Sequence, residues 1–332
     1  MRTLDAIPLT MRACALEAFG GPEKLVPLEL PVPRIGPGQI LVRVHTAGVG
    51  IWDAKARRGE WADGRETFPL VLGADGSGTV AVIGDDVRGL QLGDAVYGYL
   101  AGEGQGGFYA EYVAIDGGHL APLPASLGLR DAGGVATTGI TALAGLDDVL
   151  GVRAGQTVIV HGATGGVGSI AVQFALLRGA RVIATARGAD GTSFLHRLGA
   201  TEAVDVQHDD ILAVAQRLAP DGADALLALA GGPALGRAFD ALRPGARVAY
   251  PNGVTVPARE GLDARAFDGV PSREAFARLN ATIDAGPLDV PIGALFALDE
   301  AADAHRLLER GHVFGKIVLA IDDIEEDIEK VA

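Results

Sequence analysis

The pattern of apolar and polar positions divides the chain into two parts of different character. Before about residue 130 the apolar residues come in short extended runs, separated by turns rich in proline and glycine. The run ILVRVHTAGVG (40–50) alternates as a strand does, and MRACALEAF (11–19) and YAEYVAI (109–115) predict two more strands. Because no long helical period appears in this part, we expect a mostly β domain, in the form of a small barrel.

From about Leu127 onward, short buried runs alternate with helical patterns. The runs predict strands at 157–160, 180–186, 202–206, 223–232 and 246–253. The helical patterns lie at 131–150, 167–178, 191–199, 209–218 and 233–242. Strands that alternate with helices indicate a parallel, doubly wound sheet, in which ligands bind at the carboxyl ends of the strands. Four residues lie just beyond predicted strand ends and are therefore expected at one edge: Thr164, Arg187, Ala230 and Asn252.

The C-terminal part returns to the style of the first domain. A helix is predicted at 273–285, a strand at 290–298, a second helix at 299–310 and a last strand at 315–321. We expect these elements to join the mostly β domain.

The most informative stretch is TVIVHGATGGVG (157–168), which reads as a strand, a glycine turn and the start of a helix. In this context glycines favour a dinucleotide site, because a chain without Cβ atoms can turn tightly and approach a pyrophosphate. Gly162 and Gly165 are expected to make that turn, and Gly168 to let the helix pack closely on the strand. The helix N-terminus, with Gly166 and Val167, would present free N–H groups to the phosphates. The alternative is an ordinary turn in a chain with 48 glycines.

Composition restricts the class of protein further. The 332 residues are enough for two domains, and 48% apolar with 21% charged residues indicates a folded globular protein. The N-terminus carries no signal-peptide pattern and no apolar run is long enough to span a membrane, so we expect a cytoplasmic protein. The net charge of −14 disfavours nucleic acid or an anionic membrane as a partner. Cys14 is the only cysteine, which excludes an internal disulfide and a cysteine-cluster zinc site.

Nine short motifs, in order over nearly the whole chain, give it a clear resemblance to a known family. They are GADGSGTV (73–80), LGDAVYGY (92–99), GGFYAEYV (106–113), TGITAL (138–143), GATGGVG (162–168), LGA (198–200), LRPGARV (242–248), LDEAADAHRLLERGH (298–312) and GKIVL (315–319). The chain resembles the medium-chain dehydrogenase/reductase superfamily, in its zinc-independent, zeta-crystallin-like quinone oxidoreductase branch.

The resemblance implies a Rossmann dinucleotide-binding domain at 128–271 and a GroES-like barrel at 1–127 and 272–332, the catalytic domain. It also implies a nicotinamide held in a cleft between the domains, and a homodimer formed through edge strands of the two Rossmann sheets.

The residues that bind zinc in related alcohol dehydrogenases are missing. In those enzymes a cysteine follows the second strand and a His–Glu pair stands in a G-H-E segment, whereas this chain has GVGIWD (48–53) and Gly73-Ala74-Asp75. His45 and Asp53 remain as stray ligands without a third nitrogen or sulfur ligand at suitable spacing. We therefore expect no metal site, and without that Lewis acid direct alcohol oxidation becomes the weaker hypothesis.

The expected cofactor is NADPH. Rossmann domains selective for NAD place an acid at the end of the second strand, but here Ala186 holds that position and Arg187 follows. A guanidinium can bind a 2′-phosphate with two hydrogen bonds, although Arg187 as a solvated loop residue is the alternative. The resemblance adds three cofactor contacts: Thr141, Asn252 and Lys316. For Lys316 a supporting role at the junction of the domains is an equal alternative.

The substrate side is expected in the loop GVGIWDAKARRGEW (48–61), with Tyr97 or Tyr99 beside it. Trp52 and Trp61 are the only tryptophans and would form the walls of a flat apolar slot, unless one or both pack into the barrel core. Trp61 stands where many relatives have a tyrosine proton donor, and an indole N–H cannot serve as an acid near neutral pH. Asp53 matches a family position and is interpreted as structural, hydrogen-bonded within the loop.

Three hypotheses for function follow. The first is a metal-free, NADPH-dependent oxidoreductase that delivers hydride to a quinone or another electron-poor conjugated acceptor. The second is an enoyl or alkenal reductase on the same fold. The third is an NADPH-binding protein with little catalysis.

Overall fold

The computed structural model describes residues 2–3, 6–62, 64, 66–100 and 106–321. Its Cα positions divide the chain into two compact units. The first unit consists of Met1–Thr137, Pro271–Asn280 and Ile292–Ala332, and the second of Thr138–Val270 and Ala281–Pro291. Within the described ranges, no helix combines the length and the apolar character needed to cross a membrane.

Seventeen strands lie in the described part of the chain. They are β1 (Arg2–Thr3), β2 (Thr10–Leu16), β3 (Leu25–Pro31), β4 (Gln39–Val49), β5 (Leu70–Val71), β6 (Asp75–Ile83), β7 (Ala95–Tyr99), β8 (Tyr112–Asp116), β9 (Leu120–Pro122), β10 (Thr157–His161), β11 (Arg181–Ala186), β12 (Glu202–Asp205), β13 (Ala223–Ala228), β14 (Leu242–Pro251), β15 (Asp263–Phe267), β16 (Ile292–Ala297) and β17 (Lys316–Ala320).

Nine α-helices accompany them in the same residues. They are α1 (Ile51–Arg57), α2 (Leu129–Ala132), α3 (Ala136–Leu143), α4 (Gly166–Leu177), α5 (Gly188–Arg197), α6 (Ile211–Leu218), α7 (Pro233–Asp240), α8 (Arg273–Asp284) and α9 (Ala301–Arg310). A π-helical turn (Ala144–Val149) continues α3, and single 3₁₀ turns lie at Pro22–Lys24 and Leu298–Glu300.

The first unit is mostly β, as the sequence predicts. Its larger sheet has the order β16-β17-β4-β6-β7-β9, with β1 beside β6 and β8 beside β4, and a smaller sheet has the order β3-β2-β5. The predicted return of the C-terminal part is confirmed, because β17 pairs antiparallel with β4. Ile317 and Leu319 of β17 and Ala301 and Ala304 of α9 are buried in the same apolar core as the N-terminal strands.

The second unit is a parallel six-stranded sheet in the order β12-β11-β10-β13-β14-β15. Every residue of the central strand β10 is buried. Helices α6 and α7 bury Val214, Leu235 and Phe239 in one core with residues of the strands. The order of the strands reverses between β10 and β13, which is where doubly wound sheets bind their ligands. The predicted doubly wound α/β fold is confirmed.

Several elements differ from the prediction. The segment 48–61, predicted as a loop, contains α1, a helix too short to show a hydrophobic period. Strand β15 was not predicted, because four of its five residues are exposed and form no apolar alternation. Strand β15 forms one edge of the sheet, and the expected homodimer through such an edge stays a prediction.

The borders of the units also differ from the predicted borders at 127 and 272. Helix α2 and the start of α3 belong to the first unit, where Thr46 Oγ1 donates to the Leu129 carbonyl at 2.9 Å and the Thr137 N–H donates to Asp75 at 3.2 Å. Residues 281–291 belong to the second unit, and Gln173 exchanges two hydrogen bonds of 2.8 Å with the backbone of Asp289. Within the predicted segment 272–332, residues 322–332 lie outside the described part.

The close approach of α4 to β10 yields a test. A Cβ on Gly168 would lie 2.4 Å from the Gly162 carbonyl oxygen and 2.6 Å from Ala163 Cα, both backbone atoms that cannot move aside. We expect Gly168→Ala to lower the free energy of unfolding by about 1–3 kcal/mol, measured by urea denaturation. Gly236→Ala in α7 is the matched control, because its Cβ would meet no atom within 4 Å and should stabilise the helix by up to ~1 kcal/mol. Equal stability of the two variants would contradict the close packing.

Candidate active site

The glycine turn between β10 and α4 has the form that a dinucleotide needs. Gly162 has a φ of +80°, a conformation that disfavours side chains, so it makes the tight turn that the sequence predicts. Gly165 has an ordinary φ of −81°, and a Cβ there would meet only the Gly162 carbonyl oxygen at 4.0 Å. The protein's own packing therefore does not require a glycine at 165. The open space beside it is where a bound group can approach the backbone.

The N-terminus of α4 offers donors to such a group. Its N-cap residue is Gly165, which has no side chain to cap the first amides. The helix begins at Gly166, and Val167 is its second residue. Thr164 lies in the turn before it and is partly exposed, like these three residues. The amides of a first helical turn and the helix dipole both favour an anion such as a phosphate.

The predicted edge residues of the second unit lie where the strands end. Ala230 follows β13, and its Cβ is 3.0 Å from the position a Gly162 Cβ would take, so the two strand ends are close together. Asn252 is exposed after β14, and its side-chain amide donates to Asp268 at 2.6 Å. Thr141 is buried in α3 against Gly269, where a Cβ would lie 2.4 Å from its Oγ1.

Arg187 stands at the end of β11, as predicted, and is exposed at the start of α5. The neighbouring strand β10 ends in His161, a residue to which the sequence assigns no functional role. Its ring is buried and its Nδ1 lies 3.0 Å from Thr185 Oγ1, which also accepts a hydrogen bond from the Gly162 N–H. Burial, and then the charge of Arg187, lower the pKa of His161 to about 4, so this ring is neutral near pH 7.

A second feature that the sequence missed is Asp205, the last residue of β12. Hydrogen bonds from His208 and from the Gln207 and Gly188 amides lower its pKa to about 2. This carboxylate lies beside the end of β11, where Asp205 pairs with Ala186, and its oxygens already accept hydrogen bonds from three donors. No periodic pattern marks such a residue, because its role depends on a turn it makes itself.

In the first unit, helix α1 carries the predicted residues Trp52 and Asp53. Asp53 is buried, and its two carboxylate oxygens accept hydrogen bonds from the Gly50 amide at 2.8 Å and the Ala74 amide at 3.0 Å. It therefore caps the start of α1 and ties it to the segment before β6. Burial, and then the negative charge of Asp75, raise the pKa of Asp53 to about 7 against the pull of Lys316.

Lys316 lies in the first unit, whereas the other predicted cofactor residues lie in the second. Its ammonium is buried 3.4 Å from the Asp75 carboxylate and 4.7 Å from the centre of the Trp52 ring. Gly48 makes room for this arrangement, since a Cβ there would lie 2.4 Å from Asp75 and 2.9 Å from Lys316 Nζ. The result is a buried cluster of two carboxylates and one ammonium beneath an indole.

The two tryptophans occupy different environments. Trp52 is half-buried and its Nε1 is sealed from solvent without a partner in the described residues, while 59% of Trp61 is exposed with Lys55 Nζ 5.7 Å from its ring centre. Among the described residues, neither tryptophan belongs to the apolar core of the first unit, and no ring contact joins the two indoles. The slot that the two indoles would form together stays a prediction. Tyr99 is partly exposed in β7, opposite Asp75 of β6.

The donor set around α1 does not fit a zinc ion. Ala74 holds the position of the histidine ligand, and both oxygens of Asp53 are used by backbone amides. Over the described ranges, no three residues among His, Cys, Asp and Glu converge as metal ligands do.

The raised pKa of Asp53 predicts a pH dependence of stability. The folded protein keeps this proton up to about pH 7, whereas the unfolded chain releases it near pH 3.8. The stability that the protonated carboxyl contributes to the folded state is therefore complete below pH 3.8 and is lost as the pH rises through 7. The loss approaches ~1.4 kcal/mol per pH unit inside that window. We expect Asp53→Asn, which cannot titrate, to be less stable overall but to lack this slope. Urea denaturation of both proteins from pH 4 to 8 measures it, and parallel curves would contradict the assignment.

Comparison with known proteins places this geometry in a family. The profile described as alcohol dehydrogenase GroES-like domain matches residues 36–125, and the one described as zinc-binding dehydrogenase matches residues 198–319. The quinone oxidoreductase of Rattus norvegicus is 28% identical over 331 residues, which cover 94% of this chain and 98% of the relative. The NADPH-dependent alkenal/one oxidoreductase of Arabidopsis thaliana is 30% identical over 332 residues, covering 96% and 81%.

Solved structures agree. The quinone oxidoreductase from Coxiella burnetii has a TM-score of 0.84 at 30% identity over 94% of this chain and 99% of its own. An NAD-dependent alcohol dehydrogenase has a TM-score of 0.85 at 33% identity over 94% and 100%, and a mycobacterial protein complexed with NADPH has 0.82 at 26% over 94% and 100%. The chain is therefore an oxidoreductase of the medium-chain dehydrogenase/reductase superfamily and belongs to its quinone-oxidoreductase-like branch.

Proposed function

We propose that this protein is an NADPH-dependent reductase that transfers hydride to a quinone or a similar conjugated carbonyl acceptor without a zinc ion. The observation that carries the proposal is the carboxyl edge of the second unit. An open glycine turn follows β10 there, and the neighbouring strand β11 ends in Ala186 and is followed by Arg187, with no acid at its end. The relatives named as quinone and alkenal/one oxidoreductases support the choice of acceptor.

The choice of NADPH rests on charge at the end of β11. Ala186 brings no carboxylate that would repel a 2′-phosphate, and Arg187 is an exposed donor with a permanent positive charge. Asp205 is ionised nearby, but three donors already occupy its oxygens, so it is poorly placed to bind ribose hydroxyls as an NAD-selective acid does. The mycobacterial structure with NADPH supports this choice, whereas the NAD-dependent neighbour is the counterexample that makes a direct test necessary.

The proposed chemistry suits a site without a Lewis acid. Bound NADPH supplies hydride from its nicotinamide, and the acceptor takes the resulting negative charge into its own conjugated system. The chain's part is to bind and orient: the amides at the start of α4 hold the phosphates, and Trp52, stacked on the Lys316 ammonium, offers an aromatic surface beside a positive charge.

Protonation of the product favours quinones among the possible acceptors. Trp61 has no acidic proton to give, and Asp53 is buried with both oxygens engaged by backbone amides. Water or a tyrosine such as Tyr99 therefore supplies the proton, which a hydroquinone anion accepts readily at oxygen. Reduction of an alkenal needs a proton at carbon and is the second candidate, supported by the alkenal/one oxidoreductase among the relatives.

Steady-state turnover tests the function. We expect the purified protein to oxidise NADPH under anaerobic conditions with members of a panel of quinones, and to do so at the same rate after dialysis against a metal chelator. Product analysis with alkenals and enones separates reduction of the carbon–carbon bond from quinone reduction. The absence of turnover with every member of both panels would overturn the proposal.

The cofactor assignment is tested by removing one charge. We expect Arg187→Ala to raise the dissociation constant for NADPH by about 10–100-fold, the value of one or two charge-assisted hydrogen bonds, with little change for NADH. Arg181→Ala is the matched control, because Arg181 is an exposed arginine at the opposite end of the same strand and donates to the Leu218 carbonyl. Titration of both cofactors against the three proteins measures the effect. An equal loss for NADPH and NADH would contradict a 2′-phosphate contact.

A further inference from the structure

Helix α1 and the turn after it carry three of the four substrate-side residues, namely Trp52, Asp53 and Trp61. The placement of this segment therefore determines what an acceptor meets. Its N-terminal end is held by Asp53, which bonds the Gly50 and Ala74 amides. The last residue of α1 is Arg57, whose charged side chain is only 1% exposed. Arg57 takes no part in the proposed chemistry.

Arg57 is held on several sides. Its Nε donates to the Gly20 carbonyl at 3.1 Å, and the Gly20 N–H donates back to the Arg57 carbonyl at 3.0 Å. Its Nη1 lies 3.1 Å from His305 Nδ1, and its Nη2 donates to Glu309. Glu309 also accepts from Arg58 at 3.0 Å. The end of α1 is thereby tied both to the loop after β2 and to helix α9.

The chemistry of these partners determines the state of the histidine. A guanidinium can only donate, so Nδ1 of His305 must be the acceptor, and the proton of the neutral ring stands on Nε2. Nε2 lies 3.2 Å from the hydroxyl of Tyr109, to which it donates. Both His305 and Tyr109 have no exposed surface. Burial, and then the charges of Arg57 and Arg58, lower the pKa of His305 to about 3, which keeps the ring neutral under ordinary conditions.

Burying the Arg57 guanidinium costs desolvation free energy, which an apolar side chain of similar volume at this position would avoid. The hydrogen bonds of Arg57 contribute directionality, because a donor must align with its acceptor and each bond therefore favours one orientation of α1. Apolar contacts restrict the direction of a helix less, because they do not depend on the alignment of a donor with an acceptor.

We propose that Arg57, His305 and Tyr109 are positioning residues that orient helix α1, and through it Trp52, for the acceptor. The inference rests on the proposed function, since it assigns the acceptor to this helix. It extends that function by naming residues, far from Trp52 in sequence, on which acceptor recognition depends.

The test separates orientation from stability. We expect His305→Leu, which removes the acceptor for Arg57, to raise the KM for a quinone by about tenfold, since a small misplacement of a binding group weakens productive geometry. The dissociation constant for NADPH should change by less than about twofold, because the residues proposed to hold its phosphates, the α4 amides and Arg187, lie in the other unit. His305→Asn restores an oxygen acceptor for the guanidinium and should recover most of the loss.

A spectroscopic readout is independent of turnover. Trp61→Phe leaves Trp52 as the only tryptophan, so its emission reports directly on the helix. In that background His305→Leu should shift the emission of Trp52, and His305→Asn should shift it less. Tyr109→Phe, which removes one hydroxyl only, should act in the same direction to a smaller extent and serves if His305→Leu does not fold.

Val113→Ala is the control for a general loss of stability, because Val113 is a buried residue of β8 in the same unit. It should lower the unfolding midpoint and leave both the quinone KM and the emission of Trp52 unchanged. The proposal is overturned if the His305 and Tyr109 variants behave like Val113→Ala. If the wild-type protein reduces no quinone, the proposed function fails, while the emission of Trp52 still decides whether the chain of hydrogen bonds orients the helix.

Discussion

Helix α4 packs directly on the backbone of the turn that follows β10, and this contact determines the geometry of the edge where we propose that the cofactor binds. Only a residue without a side chain can stand at 168, where the helix meets the Gly162 carbonyl. The contact fixes where the helix begins, and so where its unpaired amides point. The parallel pairing of β10 with β11 and β13 then places Arg187 and Ala230 beside the same turn. Close packing of the helix on this turn therefore shapes the edge at which we propose that the cofactor phosphates bind.

The first unit is organised by a different constraint, the need to satisfy ionisable groups that the fold has buried. Asp53 and Asp75 receive backbone amides, and the ammonium of Lys316 is placed between Asp75 and an indole. Arg57 finds a carbonyl, a histidine and a carboxylate. Buried charges that lack partners would be costly, so these contacts allow little freedom in how α1 is seated. Trp52, which we propose contacts the acceptor, is therefore held in place with α1.

Much of the second unit was readable because its elements obey simple periods. The strand–turn–helix sequence around Gly162 predicted α4 to within one residue, and the apolar runs predicted four neighbouring strands. Strand β15 was not predicted because its exposed residues show no apolar alternation. Helix α1 was not predicted because its seven residues form only two turns. Trp52 is half-buried and Trp61 is largely exposed, a difference in environment that their closeness in sequence does not show.

By itself the sequence determined the order of the elements, the glycines of the turn, the replacement of an acid by Ala186 and Arg187, and the loss of the histidine ligand at Ala74. These are local properties, each contained in a few neighbouring residues. Only the tertiary structure decided which charged groups are buried together. Lys316 contacts Asp75, which is 241 positions away in the sequence, and Arg57 contacts His305, which is 248 positions away. No local sequence pattern predicts such a pair. The protonation of Asp53 and the tautomer of His305 follow from those meetings, because burial and neighbouring charge set them.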